Sequence, residues 1–280
     1  MKRIAAFVYG IVCYAVFLAT LLYAIGFLGN FGVPKSIDSG PEGSTAAALT
    51  IDAALLALFA LQHSIMARPW FKRSWMRIVP APVERSTYVL FSSAALLLMF
   101  WQWRPIGGII WRINGGLPAA IVLGLYLGGL LVVLLSTFLI NHFDLFGLRQ
   151  VYLYMAGRQY THLEFRTPFF YRYVRHPLYF GWLLTFWSAP VMTVAHLFFA
   201  AMTTAYILLA IRFEEADLIT AHGEKYRRYR NQVPMIVPAW GGNAAPERPE
   251  SSEKIRSNRP SICSRHLDAV KQPNTGGAVG

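Results

Sequence analysis

Charge is what this sequence has least of. Of its 280 residues, 14% are Asp, Glu, Lys or Arg against 55% hydrophobic, and the mean hydropathy is +0.39. An ordinary soluble domain is excluded, because the apolar residues come in blocks. Residues 4–34, 86–103 and 113–143 carry no charge, and 46–67 is interrupted by Asp52 and His63 alone. A bilayer crossing takes about 20 mostly apolar residues, so each block is long enough to span. Cysteine is almost as scarce: Cys13 and Cys263 are too few and too far apart for a disulfide or zinc scaffold. Phosphate loops, dinucleotide fingerprints, internal repeats and heptads are all missing. No metal is expected either, since His222 stands alone and His142 with Asp144 is a pair without further ligands nearby.

What is present is a multi-pass, all-α integral membrane protein with about five to six transmembrane helices. The first block follows Met-Lys-Arg, but it outruns a signal-peptide core and has no clean small-residue cleavage site, so it is expected to remain as the first helix. The last block is the informative one. Between Pro177 and Arg212 there is no Asp, Glu, Lys or Arg for 34 residues. As a single helix that run would reach about 50 Å against a hydrocarbon core of about 30 Å. Pro190, near its middle, would break or kink a helix interior. The expectation is a short helical hairpin, followed by a cytoplasmic interfacial helix.

Charge placement agrees. With a cytoplasmic N-terminus and six passes, 23 of the 26 Lys and Arg fall on the cytoplasmic side, leaving Lys35, Arg104 and Arg112 outside. A single pass over 178–211 would put the last eleven outside. The net charge of +12 is then membrane orientation and attraction to lipid head groups, with no nucleic acid partner implied. Residues 1–240 read as one membrane domain, and 241–280, rich in Pro, Ser, Gly and charge, as a disordered tail.

The hairpin brings two charged motifs to one surface. Arg175-His176-Pro177 precedes it, with Tyr179 and Gly181 in its first turns, where a glycine lets a small molecule approach the backbone and free N–H groups favour an anion. Glu214 and Glu215 are expected to close it at a helix C-terminus, where the helix dipole disfavours carboxylates and calls for compensation. Next comes HGEKYRRYRNQVP, with His222, Tyr226 and Tyr229 spaced for one helical face and Pro234 ending the helix. Each motif alone also reads as ordinary structure: a proline helix start, a carboxylate pair matched to nearby arginines, an amphipathic interfacial helix.

In this order and spacing, RHPLYFGW, the Glu pair and GEKYRRYRNQVPMIVP resemble the C-terminal signature of the isoprenylcysteine carboxyl methyltransferase superfamily. QHSIMARPWFKRSW, ERSTYVLFSSAALLL and NHFDLFGLRQVYLY further resemble its nurim-like branch, and within it the bacterial methanethiol S-methyltransferases, over about residues 5–240. The resemblance implies an enzyme of the bacterial inner membrane that binds S-adenosylmethionine through about residues 141–240. It implies methyl transfer to a small thiol, methanethiol, yielding dimethyl sulfide. Arg175, His176, Pro177, Tyr179, Gly181, Glu214, Glu215, Tyr226, Tyr229 and Pro234 match the cofactor motifs.

The substrate side is less defined. His176 and His142 are the candidate bases for the thiol, with Asp144 able to orient His142. Asp52 and His63 lie eleven residues apart on one face of the second span, suited to lining a small substrate pocket or to bonding neighbouring helices. Alternatives are a methyltransferase of the same superfamily acting on a lipid or prenylated cysteine, an NADPH-dependent membrane reductase, and a non-enzymatic nurim-like membrane protein.

Overall fold

A computed structural model describes residues 1–41, 43–161 and 167–238; the expected tail at 241–280 lies outside them. In chain order the elements are α1 (Lys2–Gly29), α2 (Thr45–Ala67), α3 (Pro69–Trp75), α4 (Ala81–Gln102), β1 (Ile109–Arg112), α5 (Gly116–Ile140), α6 (His142–Leu145) and α7 (Leu148–Met155). A 3₁₀ turn (Phe169–Arg172), α8 (Pro177–Trp187), β2 (Val191–Thr193), α9 (Val194–His222) and α10 (Glu224–Gln232) follow. Among the described residues five helices are long and apolar enough to cross a membrane: α1, α2, α4, α5 and α9.

Local signals set their ends. Asn30, in the left-handed conformation at φ 57°, terminates α1. The Ser44 hydroxyl accepts from the Ala47 N–H to cap α2, and Thr193 does the same for His196 at the start of α9. Pro177 opens α8 at the first helical position, where its missing N–H costs nothing.

The hairpin is present but unequal. α8 has 11 residues, about 16 Å of helix, and so crosses only half a bilayer. α9 has 29 residues and runs on past the Glu pair to His222, which corrects the expectation of two short arms with Glu214 and Glu215 at a helix end. The chain turns between them at Pro190, and β2 pairs antiparallel with β1, Ile109 opposite Thr193 and Arg112 opposite Val191. β1 joins α4 to α5, so the tip of the hairpin sits at the same face as that loop. Its open end, with Arg175 and Glu215, therefore lies at the opposite face. Arg68 of the α2–α3 junction pairs there with Asp217 at 2.9 Å.

The core gathers the inner faces of these helices around Trp103, Phe27, Met99, Phe186 and Phe199. The Trp103 indole donates to the Ile37 carbonyl at 3.1 Å, and the Tyr126 hydroxyl to the Ile25 carbonyl at 2.6 Å. α8 is held chiefly by α5, along the most extensive helix–helix contact among the described residues. That contact is made by two glycines, Gly129 and Gly181: a Cβ built on Gly181 would stand 2.7 Å from the Gly129 carbonyl oxygen. Without side chains between them the two backbones approach closely, as small residues allow in membrane helix packing.

Candidate functional site

The open end of the hairpin holds a cluster of charged side chains from three segments. The Arg175 Nε donates to Glu215 Oε1 at 2.7 Å, and both side chains are nearly buried, 11% and 12% exposed. The same guanidinium donates through its terminal nitrogen to the carbonyls of Arg230 at 2.7 Å and Val233 at 2.5 Å. Those carbonyls belong to the C-terminal end of α10, where helix acceptors lack intrahelical partners and the dipole is negative. His176, buried, places Nε2 3.2 Å from Glu215 Oε1. The Tyr179 hydroxyl donates to Glu214 Oε2 at 2.9 Å. Glu214 is the open member, with 44% of its side chain exposed.

Backbone pairing clamps this arrangement. The N–H groups of Arg175 and His176 donate to the carbonyls of Pro234 and Met235 at 2.9 and 3.1 Å, so the chain after α10 lies alongside the start of α8. The Tyr229 hydroxyl donates to the Tyr171 carbonyl at 2.6 Å, tying α10 to the turn before Arg175. Tyr226 is buried edge-on against Tyr229, ring centres 5.8 Å apart. Burial raises the phenols of Tyr171, Tyr226 and Tyr229 well above their ordinary range, so all three stay neutral donors.

Of the ten residues expected at a cofactor site, Arg175, His176, Tyr179, Glu214, Glu215, Tyr229 and Pro234 thus meet directly or through the backbone. Pro177 and Tyr226 buttress them. Gly181 packs against α5: a Cβ on it would meet Gly129 and Val133, so in the structure it serves helix packing. The single face expected for His222, Tyr226 and Tyr229 does not form either, because Gly223 at φ 56° breaks the helix between α9 and α10.

The remaining expected residues lie apart. His142 is buried, with Nε2 2.8 Å from the Tyr14 hydroxyl, Nδ1 2.9 Å from the Thr137 hydroxyl and its ring stacked on Phe138. Asp144 pairs with Arg149 at 2.8 Å and accepts from the Tyr160 hydroxyl. The orientation of His142 by Asp144 is therefore replaced by two hydroxyl partners, because residues two apart on the short helix α6 do not face each other. Asp52 accepts from the Arg104 N–H at 2.9 Å, at the β1–β2 face, while His63 bonds Tyr88 and Ser92 three turns away. They share a helix face but not a pocket.

Burial lowers the His142 pKa below its ordinary 6.5. Above that pH both folded and unfolded imidazole are neutral and stability is at its full value. As pH falls, the unfolded chain takes up a proton that the folded one resists, so this contribution shrinks until the folded pKa is passed. The melting-temperature gap between wild type and His142→Gln is therefore expected to narrow from pH 8 to pH 5. A gap independent of pH would contradict it.

Sequence reasoning missed Tyr206, whose hydroxyl lies 3.0 Å from that of Ser64, the residue beside His63. Tyr206 sits in the charge-free run, where an aromatic is indistinguishable from packing; its place two helical turns before Glu214 is the one signal the chain offers.

Fold and site together define a polytopic helical membrane protein with a buried Arg–His–Glu cluster at one face. No family model and no solved structure matches the chain. It is 58% identical over 241 residues to the methanethiol S-methyltransferase of Crocosphaera subtropica, covering 86% of this chain and 94% of the relative. It is 48% identical over 238 residues to the methanethiol S-methyltransferase of Mycobacterium tuberculosis, covering 85% and 98%. Nurim of Xenopus laevis is 32% identical over 177 residues, 60% of this chain and 61% of the relative. The chain belongs to the methanethiol S-methyltransferase family.

Proposed function

We propose that this protein methylates methanethiol with S-adenosylmethionine, releasing dimethyl sulfide, S-adenosylhomocysteine and a proton, at the cytoplasmic face of a bacterial inner membrane. The observation that carries this reading is the Arg175–His176–Glu214–Glu215 cluster in a chain so close to proteins bearing that activity in their name. The donor set suits the cofactor: the half-open Glu214 can accept from an ammonium group or a ribose diol, and neutral tyrosines flank it. S-adenosylmethionine, when bound, supplies a methyl group already activated by the positive sulfur.

The chain's own residues have a modest chemical task. They must hold the thiol sulfur in line, exclude water and remove one proton. Arg175 and Glu215 fix the geometry of the hairpin mouth, and Glu214 with Tyr179 offers the polar contact. The thiolate is the nucleophile, and His176 is the base in this reading, being the candidate histidine within the cluster. Loss of His176 (His176→Ala) should stop turnover while leaving membrane insertion intact; undiminished turnover would remove it from this role.

The test of the whole reading uses membranes from cells producing the full chain, given methyl-labelled S-adenosylmethionine with and without methanethiol. Labelled dimethyl sulfide in the headspace, dependent on both the chain and the thiol, is the expected result. Binding of S-adenosylmethionine without product would redirect the search to lipid or other thiol acceptors. Absence of both binding and product would overturn the methyltransferase reading.

A further inference from the structure

A cavity of about 100 Å³ lies between α2 and α9, lined by Ala53, Ala57, Ala60, Phe59, Met202 and Tyr206 among others. The three alanines fall at i, i+4 and i+7, one face of α2, and leave a gap where two helices would otherwise close. Nearly all of its lining is apolar. Its mouth is at Ala57 and Met202, both exposed on the outer surface of the helix bundle, Met202 to 42%. Both helices are spans, so that surface faces lipid near mid-bilayer.

The other end of the cavity points to the charged cluster. Tyr206 lines it and places its hydroxyl 3.0 Å from Ser64, toward the face that holds Arg175. Tyr206 also lies two helical turns before Glu214 on α9, and Glu214 accepts from the Tyr179 hydroxyl at 2.9 Å. Phe59, on the opposite wall, stacks on His63, ring centres 5.3 Å apart. The cavity thus runs from the lipid-facing surface to Tyr206, on the side of α2 and α9 that leads to the site.

Size and polarity narrow the occupant. An apolar cavity of about 150 Å³ accommodates benzene, six heavy atoms, so 100 Å³ suits a molecule of a few heavy atoms. We propose that this cavity is the binding site through which a short alkyl thiol passes from the bilayer to the Tyr179–Glu214 cluster, and that Ala53, Ala57 and Ala60 set the chain length accepted. The assignment rests on the thiol methyltransferase reading above and adds where the acceptor binds. A short thiol is apolar enough to reside in the bilayer, and its weak S–H donor can be met by the Tyr206 hydroxyl oxygen at the inner end.

The test compares full-length wild type with Ala57→Leu, which fills the cavity, and Met202→Ala, which enlarges it. Each purified protein is assayed with methanethiol, ethanethiol and propanethiol, and its affinity for S-adenosylmethionine is measured alongside. Ala57→Leu is expected to raise the methanethiol KM about tenfold or more, with cofactor affinity unchanged. Met202→Ala is expected to raise the propanethiol-to-methanethiol ratio of kcat/KM about tenfold or more, since propanethiol carries two further methylenes and each is worth about tenfold in a fitted pocket. If Ala57→Leu loses cofactor binding through misfolding, Met202→Ala decides by itself. Wild-type KM and chain-length preference in the folded variants would make the cavity a niche for lipid acyl chains only, and overturn the proposal. Absence of any turnover in wild type would instead defeat the functional reading, and this site with it.

Discussion

Glu215→Ala is expected to weaken S-adenosylmethionine binding by a hundredfold or more while the protein still inserts into the membrane. Glu215 accepts from Arg175 at 2.7 Å and lies 3.2 Å from His176, with 12% of its side chain exposed. Removing one partner of such a pair leaves the other charge buried without compensation, which costs about 3–5 kcal/mol. Arg175 would keep only the carbonyls of Arg230 and Val233, and of the links to α9 only the Tyr179–Glu214 hydrogen bond would remain. The loss falls on the proposed cofactor site because the cluster is where α8, α9 and the segment after α10 meet. Glu214→Ala is expected to do less harm to stability, since that carboxylate is 44% exposed and water can replace its partner. Calorimetric titration of each purified variant with S-adenosylmethionine separates the two. An unchanged affinity in Glu215→Ala would show that the cluster is scaffolding alone.

Gly181→Val should also be severe, and it acts on the fold. A Cβ there meets the Gly129 carbonyl at 2.7 Å and the Val133 N–H nitrogen at 2.9 Å. Both are backbone atoms, so neither can swing aside; α5 and α8 must separate. Overpacking of this kind costs about 1–3 kcal/mol when side chains can adjust, and here it should sit at the upper end or beyond. The reciprocal change, Gly129→Ala, meets the Gly181 carbonyl at 2.7 Å and should act similarly. Gly128→Ala is the control, because a Cβ there meets nothing within 4 Å. Thermal unfolding in detergent should show a clear drop for the first two and none for the third. Equal melting temperatures across the set would mean that the α5–α8 contact is looser than its geometry implies.

Much of the fold is legible in the sequence. Charge-free blocks of 18 to 34 residues announce spans, because burying a charge in hydrocarbon is costly and lengths are tied to bilayer thickness. Pro190 and the overlong last run point to a hairpin for the same reason. The unequal arms are not legible. Glu214 and Glu215 look like a helix end because the uncharged run stops just before them, but Arg175 and Tyr179, from the start of the other arm, compensate them, so α9 continues to the true stop at Gly223. Asp144 looks like a partner for His142 because the two are neighbours along the chain, yet Arg149 and Tyr160 reach it first.

Membrane class, spans and the pairing of Arg-His-Pro with Glu-Glu all follow from period, length and charge along one dimension, and the chain carries them unaided. Which atoms face which is settled in three dimensions. Packing turns Gly181 toward α5, sets the Arg175 guanidinium on the carbonyl end of α10, and leaves the alanine face of α2 standing off from α9. Those outcomes depend on how helices distant in sequence lie across one another. A linear pattern carries only the surface each helix offers, not the neighbour that fills it.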